Sequence, residues 1–120
     1  MPPAVENPLV HIELHTAKPS RACAFYTRLF RWRAETVRLG CGSYLALDLG
    51  AGIGAGVIER EVERPMWLPY VEVNDVGEVT ERARALGASV ALEAREGPAG
   101  WRSIVAPPAG AEIALWQAKT

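Results

Sequence analysis

Pro8-Leu9-Val10-His11-Ile12-Glu13-Leu14-His15-Thr16 is the stretch that decides the fold. From Val10 to His15 apolar and polar side chains alternate, which is the period of a half-buried strand. Val10, Ile12 and Leu14 fall on one face, and His11, Glu13 and His15 on the other. Pro19 then suits the first position of a helix, where its missing N–H costs nothing. Ala22, Tyr26 and Leu29 recur at helical spacing, Phe25 and Phe30 widen the apolar face, and the helix is expected to end near Trp32. Strand-prone segments follow at 34–39 and 43–49, separated by Gly40-Cys41-Gly42, and at 54–59 after a Gly-rich turn.

The second half repeats this order. Residues 67–74 read as a strand. Asp75, with Glu78 three residues on, resembles a capping box. Val76, Val79, Ala83 and Leu86 form a helical stripe that Gly87 stops. Strands fit 88–93, 101–106 and 111–116, with Pro107-Pro108-Ala109-Gly110 as the last turn. A shift of 57 residues lays Pro19, Ala22, Tyr26 and Leu29 on Val76, Val79, Ala83 and Leu86. The chain therefore reads as an α+β protein of two βαβββ modules, about 8–60 and 66–117, linked by Arg60–Arg64 and Pro65. Neither module is large enough to cover both faces of its own sheet, so residues 1–120 are expected to form one domain.

The chain has 120 residues and a formal net charge of −1, from 13 basic and 14 acidic side chains. That balance supplies no field to hold nucleic acid or an anionic membrane. The apolar run from Leu49 to Ile58 is too short to span a bilayer, and the N-terminus lacks the basic and apolar regions of a signal peptide. Two cysteines, Cys23 and Cys41, cannot build a disulfide framework or a closed zinc site. A cytoplasmic location with reduced thiols is expected.

Both halves resemble the vicinal oxygen chelate superfamily, which includes glyoxalase I, bleomycin-resistance proteins and extradiol dioxygenases. The first half carries the resemblance in His11-Ile-Glu-Leu-His, Ala24-Phe25-Tyr26 and Leu29-Phe30-Arg31-Trp32. The second carries it in Leu68-Pro-Tyr-Val-Glu-Val-Asn-Asp75, Ala85-Leu-Gly-Ala88 and Ala109-Gly-Ala-Glu-Ile-Ala-Leu-Trp116. The resemblance implies two modules whose curved mixed sheets surround a cleft, and a homodimer. Arg31 stands where the family usually has Gly, and Pro107 where the last turn often has Asp.

In metal-using relatives, the resemblance implies four His or Glu ligands from four strands, two per half, holding a divalent ion that acts as a Lewis acid. Carried over, these positions fall on His11, on the 54–59 strand between Ala55 and Val57, on Leu68 and on Ala114. Leu and Ala cannot ligate, so no family-type metal is expected. A displaced site using His11 with Glu13, Glu72 or Glu112 would need three convergent ligands. His11, Glu13 and His15 spread over roughly 13 Å of strand, too far for all three to close on one ion. Alternatively His11 is a neutral, hydrogen-bonded residue of the pocket or core, or a general acid–base without metal.

Without a metal, the cleft is expected to hold a small organic ligand against His11, Glu13, Leu68, Tyr70, Ala114 and Trp116, with Trp101 and Tyr44 as further contributors. Trp and Tyr planes suit a flat or aromatic ligand. The favoured expectation is a glyoxalase- or bleomycin-resistance-like binding protein. The alternative is a divalent-metal-dependent lyase, isomerase or dioxygenase with displaced ligands, and a third reading is a domain that mainly mediates assembly. Gly50-Ala-Gly-Ile-Gly-Ala55 imitates a dinucleotide fingerprint, but Pro65 and the strand-prone Val57-Ile58 leave no room for the helix such a unit needs.

Overall fold

A computed structural model of the chain describes residues 7–39, 42–49, 53–97 and 99–119. Gly40, Cys41, Gly50-Ala-Gly52 and the side chain of Tyr44 lie outside the described residues. The elements run β1 (Leu9–Thr16), α1 (Pro19–Leu29), β2 (Arg33–Leu39), β3 (Gly42–Asp48), β4 (Gly54–Glu59), β5 (Met66–Glu72), α2 (Val76–Ala85), β6 (Ser89–Glu96), β7 (Gly100–Ala106) and β8 (Ile113–Ala118). This is the βαβββ order twice over. Leu9 and Met66 begin equivalent strands, and Pro19 and Val76 begin equivalent helices, each pair 57 residues apart. The chain divides into two compact units, His11–Leu68 and Pro69–Thr120, the latter joined by Met1–Val10.

In the first unit the strand order is β2-β3-β4-β1. β1 runs parallel to β4, with Glu13 opposite Gly56 and His11 opposite Gly54. β3 runs antiparallel to both its neighbours, β2 and β4. Leu14, Cys23, Leu47, Ala55 and Val57 form the core, with Ile12, Ala22, Tyr26, Trp32 and Trp67 packed on it. Strand alternation therefore sends Ile12 and Leu14 to α1 and leaves His11, Glu13 and His15 opposite.

Helix α1 departs from expectation. It ends at Leu29, and its buried side is Ala22, Cys23 and Tyr26, while Phe25, Leu29 and Phe30 are exposed. Phe25 lies one residue, or about 100°, from Tyr26 and so cannot share its face. Tyr26 is the hub instead, with ring centroids 5.8 Å from Trp32 and 5.4 Å from Trp67. Arg31 takes no left-handed turn; only Asn7 and Ala111 do so among the described non-glycine residues. The helix leaves through an extended Phe30 instead, so no glycine is needed there.

In the second unit the order is β5-β8-β7-β6. β5 runs parallel to β8, with Tyr70 opposite Ala114 and Glu72 opposite Trp116. The helix-side core is Val73, Val76, Val105 and Leu115, joined by Val79, Ala83, Trp101 and Ile113. Asp75 caps α2 by accepting a 3.0 Å bond from the Glu78 N–H. Thr80, not Leu86, completes the buried stripe. Its hydroxyl bonds the Val76 carbonyl and lies 2.7 Å from Ser103 Oγ, whereas Leu86 is exposed. Gly87 stops the helix at φ +98°, as its position predicts. Two register shifts break the β6–β7 ladder, between Val90 and Leu92 and between Leu92 and Arg95.

Candidate functional site

The face of β1 that turns away from α1 carries a linked set of charged and polar groups. Glu13 and His15 are buried, and His15 Nε2 lies 2.6 Å from Glu13 Oε1. On the other side of the same ring, Arg60 Nη1 lies 3.0 Å from His15 Nδ1. A guanidinium only donates, so Nδ1 accepts and the ring proton sits on Nε2, where it is donated to Glu13. The other Glu13 oxygen lies 3.6 Å from His11 Nε2, a contact that becomes an ion pair whenever the imidazole carries a second proton. The His11 side chain is 29% exposed against 9% for Glu13, so His11 is the open end of the series.

Arg60, read from the sequence as the first residue of the linker, belongs to this set. Its N–H donates to the Thr16 carbonyl at 3.0 Å, and this carries the strand pairing one residue past β4 and delivers the guanidinium to His15. The sequence signal was indirect: a buried imidazole beside a carboxylate needs a donor for its second nitrogen. His11 in turn lies beside bare backbone. A Cβ added at Gly54 would approach its Nδ1 to 3.1 Å.

The equivalent face of the second half has other chemistry. The 57-residue shift replaces His11, Glu13 and His15 by Leu68, Tyr70 and Glu72. Tyr70 is buried, and its hydroxyl accepts a 2.6 Å bond from Arg102 Nη1. The Tyr70 and Trp116 rings lie 6.2 Å apart at 58°. Arg102 stands opposite Trp116 across the β7–β8 ladder. The structure thus brings Tyr70, Ala114 and Trp116 together on adjoining strands and sets Arg102 beside them, a residue the sequence reading did not single out. Trp101 is not part of this group. It packs on the helix side, with the Lys119 ammonium 5.6 Å from its ring centroid. A surface depression of about 480 Å³ beside the start of α2, lined by Asn7, Asp75 and Arg82 among others, takes in Glu72 but not Leu68, Tyr70, Arg102, Ala114 or Trp116.

The residues present do not fit a family-type metal. The β1–β4 pairing of Glu13 with Gly56 matches the β5–β8 pairing of Tyr70 with Ala114, so Gly56 fills the position expected between Ala55 and Val57. Gly56 has no side chain, and Leu68 and Ala114 are apolar and 0% exposed. His11 alone can ligate. Among the described residues, no group of three or more His, Cys, Asp or Glu is placed to hold a metal ion.

Comparison with known proteins agrees with this architecture. Residues 11–116 match the family of glyoxalase-like domains. Proteins of Mycobacterium bovis and Mycobacterium tuberculosis, both named "Putative glyoxylase CFP32", are 33% identical over 115 residues, covering 89% of this chain and 44% of theirs. The chain thus spans less than half the length of these relatives. Methylmalonyl-CoA epimerase from M. tuberculosis superposes with a TM-score of 0.66 at 17% identity, covering 93% of this chain and 88% of that one. A Bacillus halodurans protein described as hypothetical reaches 0.70 at 14% identity, covering 95% and 96%. Among the described residues, no helix is long and apolar enough to cross a membrane.

Proposed function

Since the chain belongs to the glyoxalase-like domain family of the vicinal oxygen chelate superfamily, we propose that it binds a small organic ligand and does so without a family-type metal centre. One observation carries this reading. Of the four positions where the resemblance expects metal ligands, three hold Gly56, Leu68 and Ala114, and the last two are fully buried. Lewis-acid chemistry of the family type needs at least three donors around one ion, and these positions supply one, His11.

The groups left for a ligand are those on the faces opposite the helices. In the first half these are His11 and Glu13, held by His15 and Arg60. In the second they are Tyr70 and Trp116, with Arg102. Aromatic walls with a few fixed polar groups are what a small-molecule site requires.

The test is a thermal-shift screen of a small-molecule panel, run with and without EDTA on protein purified without added metal, alongside elemental analysis. The expected result is stabilisation by one or more compounds, unchanged by EDTA. A stoichiometric divalent ion whose removal abolishes ligand stabilisation would overturn the proposal.

A further inference from the structure

We propose that the exposed side of α1 docks on an anionic phospholipid surface, with Phe25, Leu29 and Phe30 entering the headgroup layer and Lys18, Arg21, Arg28 and Arg31 meeting its phosphates. The proposal concerns a different face from the ligand-binding reading above and does not rest on it.

The near-neutral total charge of the chain hides a local segregation. Residues 14–34 contain Lys18, Arg21, Arg28, Arg31 and Arg33 and no acidic side chain. Arg33 has Asp48 opposite it in the β2–β3 ladder. The other four are exposed, and among the described residues no ion pair holds any of them. The equivalent helix of the second half neutralises its own charges. Glu78 pairs with Arg82 at 3.1 Å, and Arg84 with Glu81 at 3.3 Å and Glu93 at 2.8 Å.

The same side of α1 is apolar as well as basic. Phe25, Leu29 and Phe30 are 58%, 57% and 44% exposed. Phe25 and Leu29 lie one helical turn apart. A shallow depression lined by Arg21, Ala24, Phe25, Arg28 and Leu29 makes the rings and the cations one surface. The exposed rings rest on half-buried ones: Phe25 meets Tyr26 edge-on at 5.2 Å, and Phe30 lies 4.7 Å from Trp32. Aromatic and basic side chains together on the open side of a helix are the pattern of a segment that lies in a membrane interface.

A second copy of the chain fits this face poorly, since a two-fold axis that pairs α1 with itself sets arginine against arginine. A stable protein interface takes about 20–30 residues a side, far more than this patch offers. A bilayer needs only a few inserted side chains with cations beside them.

The experiment is co-sedimentation of the whole chain with vesicles of phosphatidylcholine alone, and of phosphatidylcholine with about one-third phosphatidylglycerol. The anionic vesicles are expected to bind about tenfold or more tighter, and raised salt to weaken them. Arg21→Gln and Arg28→Gln are each expected to lower partitioning about fivefold, and Phe25→Ser about tenfold, with unchanged circular dichroism. Arg82→Gln, which removes a cation from α2 instead, is expected to leave it unchanged. Should one variant fail to fold, the others decide. A loss with Arg82→Gln as large as with Arg28→Gln would overturn the proposal, because net charge alone would then be acting. Equal binding to both vesicles would also overturn it. No enrichment on the anionic vesicles would do the same and point the face to an acidic protein partner.

Discussion

The two halves share one backbone plan and differ in what they place opposite the helix. In the first, Glu13 and His15 are buried and bridged to Arg60, so a charge is neutralised through a neutral ring. In the second, the same strand positions hold Leu68, Tyr70 and Glu72, and the buried group is a phenol bonded to Arg102. The apolar sides are interchangeable in kind: valines, leucines and small residues under an amphipathic helix. Packing thus preserves the fold, while the opposite face is where the halves differ in chemistry.

That contrast can be broken most forcefully at Glu13. Glu13→Leu removes the acceptor from the buried His15 Nε2–H. It is expected to lower unfolding free energy by about 3 kcal/mol, read by urea denaturation. A loss no larger than that of an exposed substitution would mean the series contributes nothing to stability.

Two glycines sharpen the comparison next. A Cβ at Gly100 would meet the Gln117 carbonyl oxygen at 2.3 Å and the Trp116 ring at 2.8 Å, whereas one at Gly54 meets only the His11 ring, nearest at Nδ1, 3.1 Å away. Gly100→Ala is therefore expected to destabilise by about 2 kcal/mol and Gly54→Ala by under about 1 kcal/mol, compared by melting temperature. Equal effects would show that backbone and side-chain neighbours yield alike.

Tyr70→Phe tests the second half without changing its shape. Losing one bond to a guanidinium is expected to cost about 1.5 kcal/mol and to shift the Arg102 Nε–H resonance. An unchanged resonance would contradict the geometry.

The smallest effect concerns Cys23, whose thiol is pushed above its usual range by burial. A group raised on folding stabilises below its unfolded value and loses that contribution as pH climbs through its folded value. Stability should therefore fall at alkaline pH beyond the ordinary thiol range, and Cys23→Ala should remove that part of the fall.

Much of this was legible in the residues. The alternation from Val10 to His15 and the 57-residue shift gave strand, helix and repeat, because both periods are local properties of the chain. Gly87 and Asp75 announced the ends of α2 for the same reason. Arg102 and Arg60 were not legible as site residues. Their partners, Tyr70 and His15, lie 32 and 45 residues away in sequence, and only strand register brings them together. Leu29 and Leu86 misled because hydrophobicity marks a candidate for burial without fixing where a helix ends relative to its sheet. Leu29 is the last residue of α1, and Leu86 lies one beyond α2.

The irregular β6 has a consequence of another kind. It closes the strand order of its half, and an outer strand offers unpaired amides to any passing chain. Its two register shifts, and the exposed charges of Glu93, Arg95 and Glu96, make a poor template for further strand addition. The strand that departs most from regular pairing is thereby a guard against edge-to-edge aggregation.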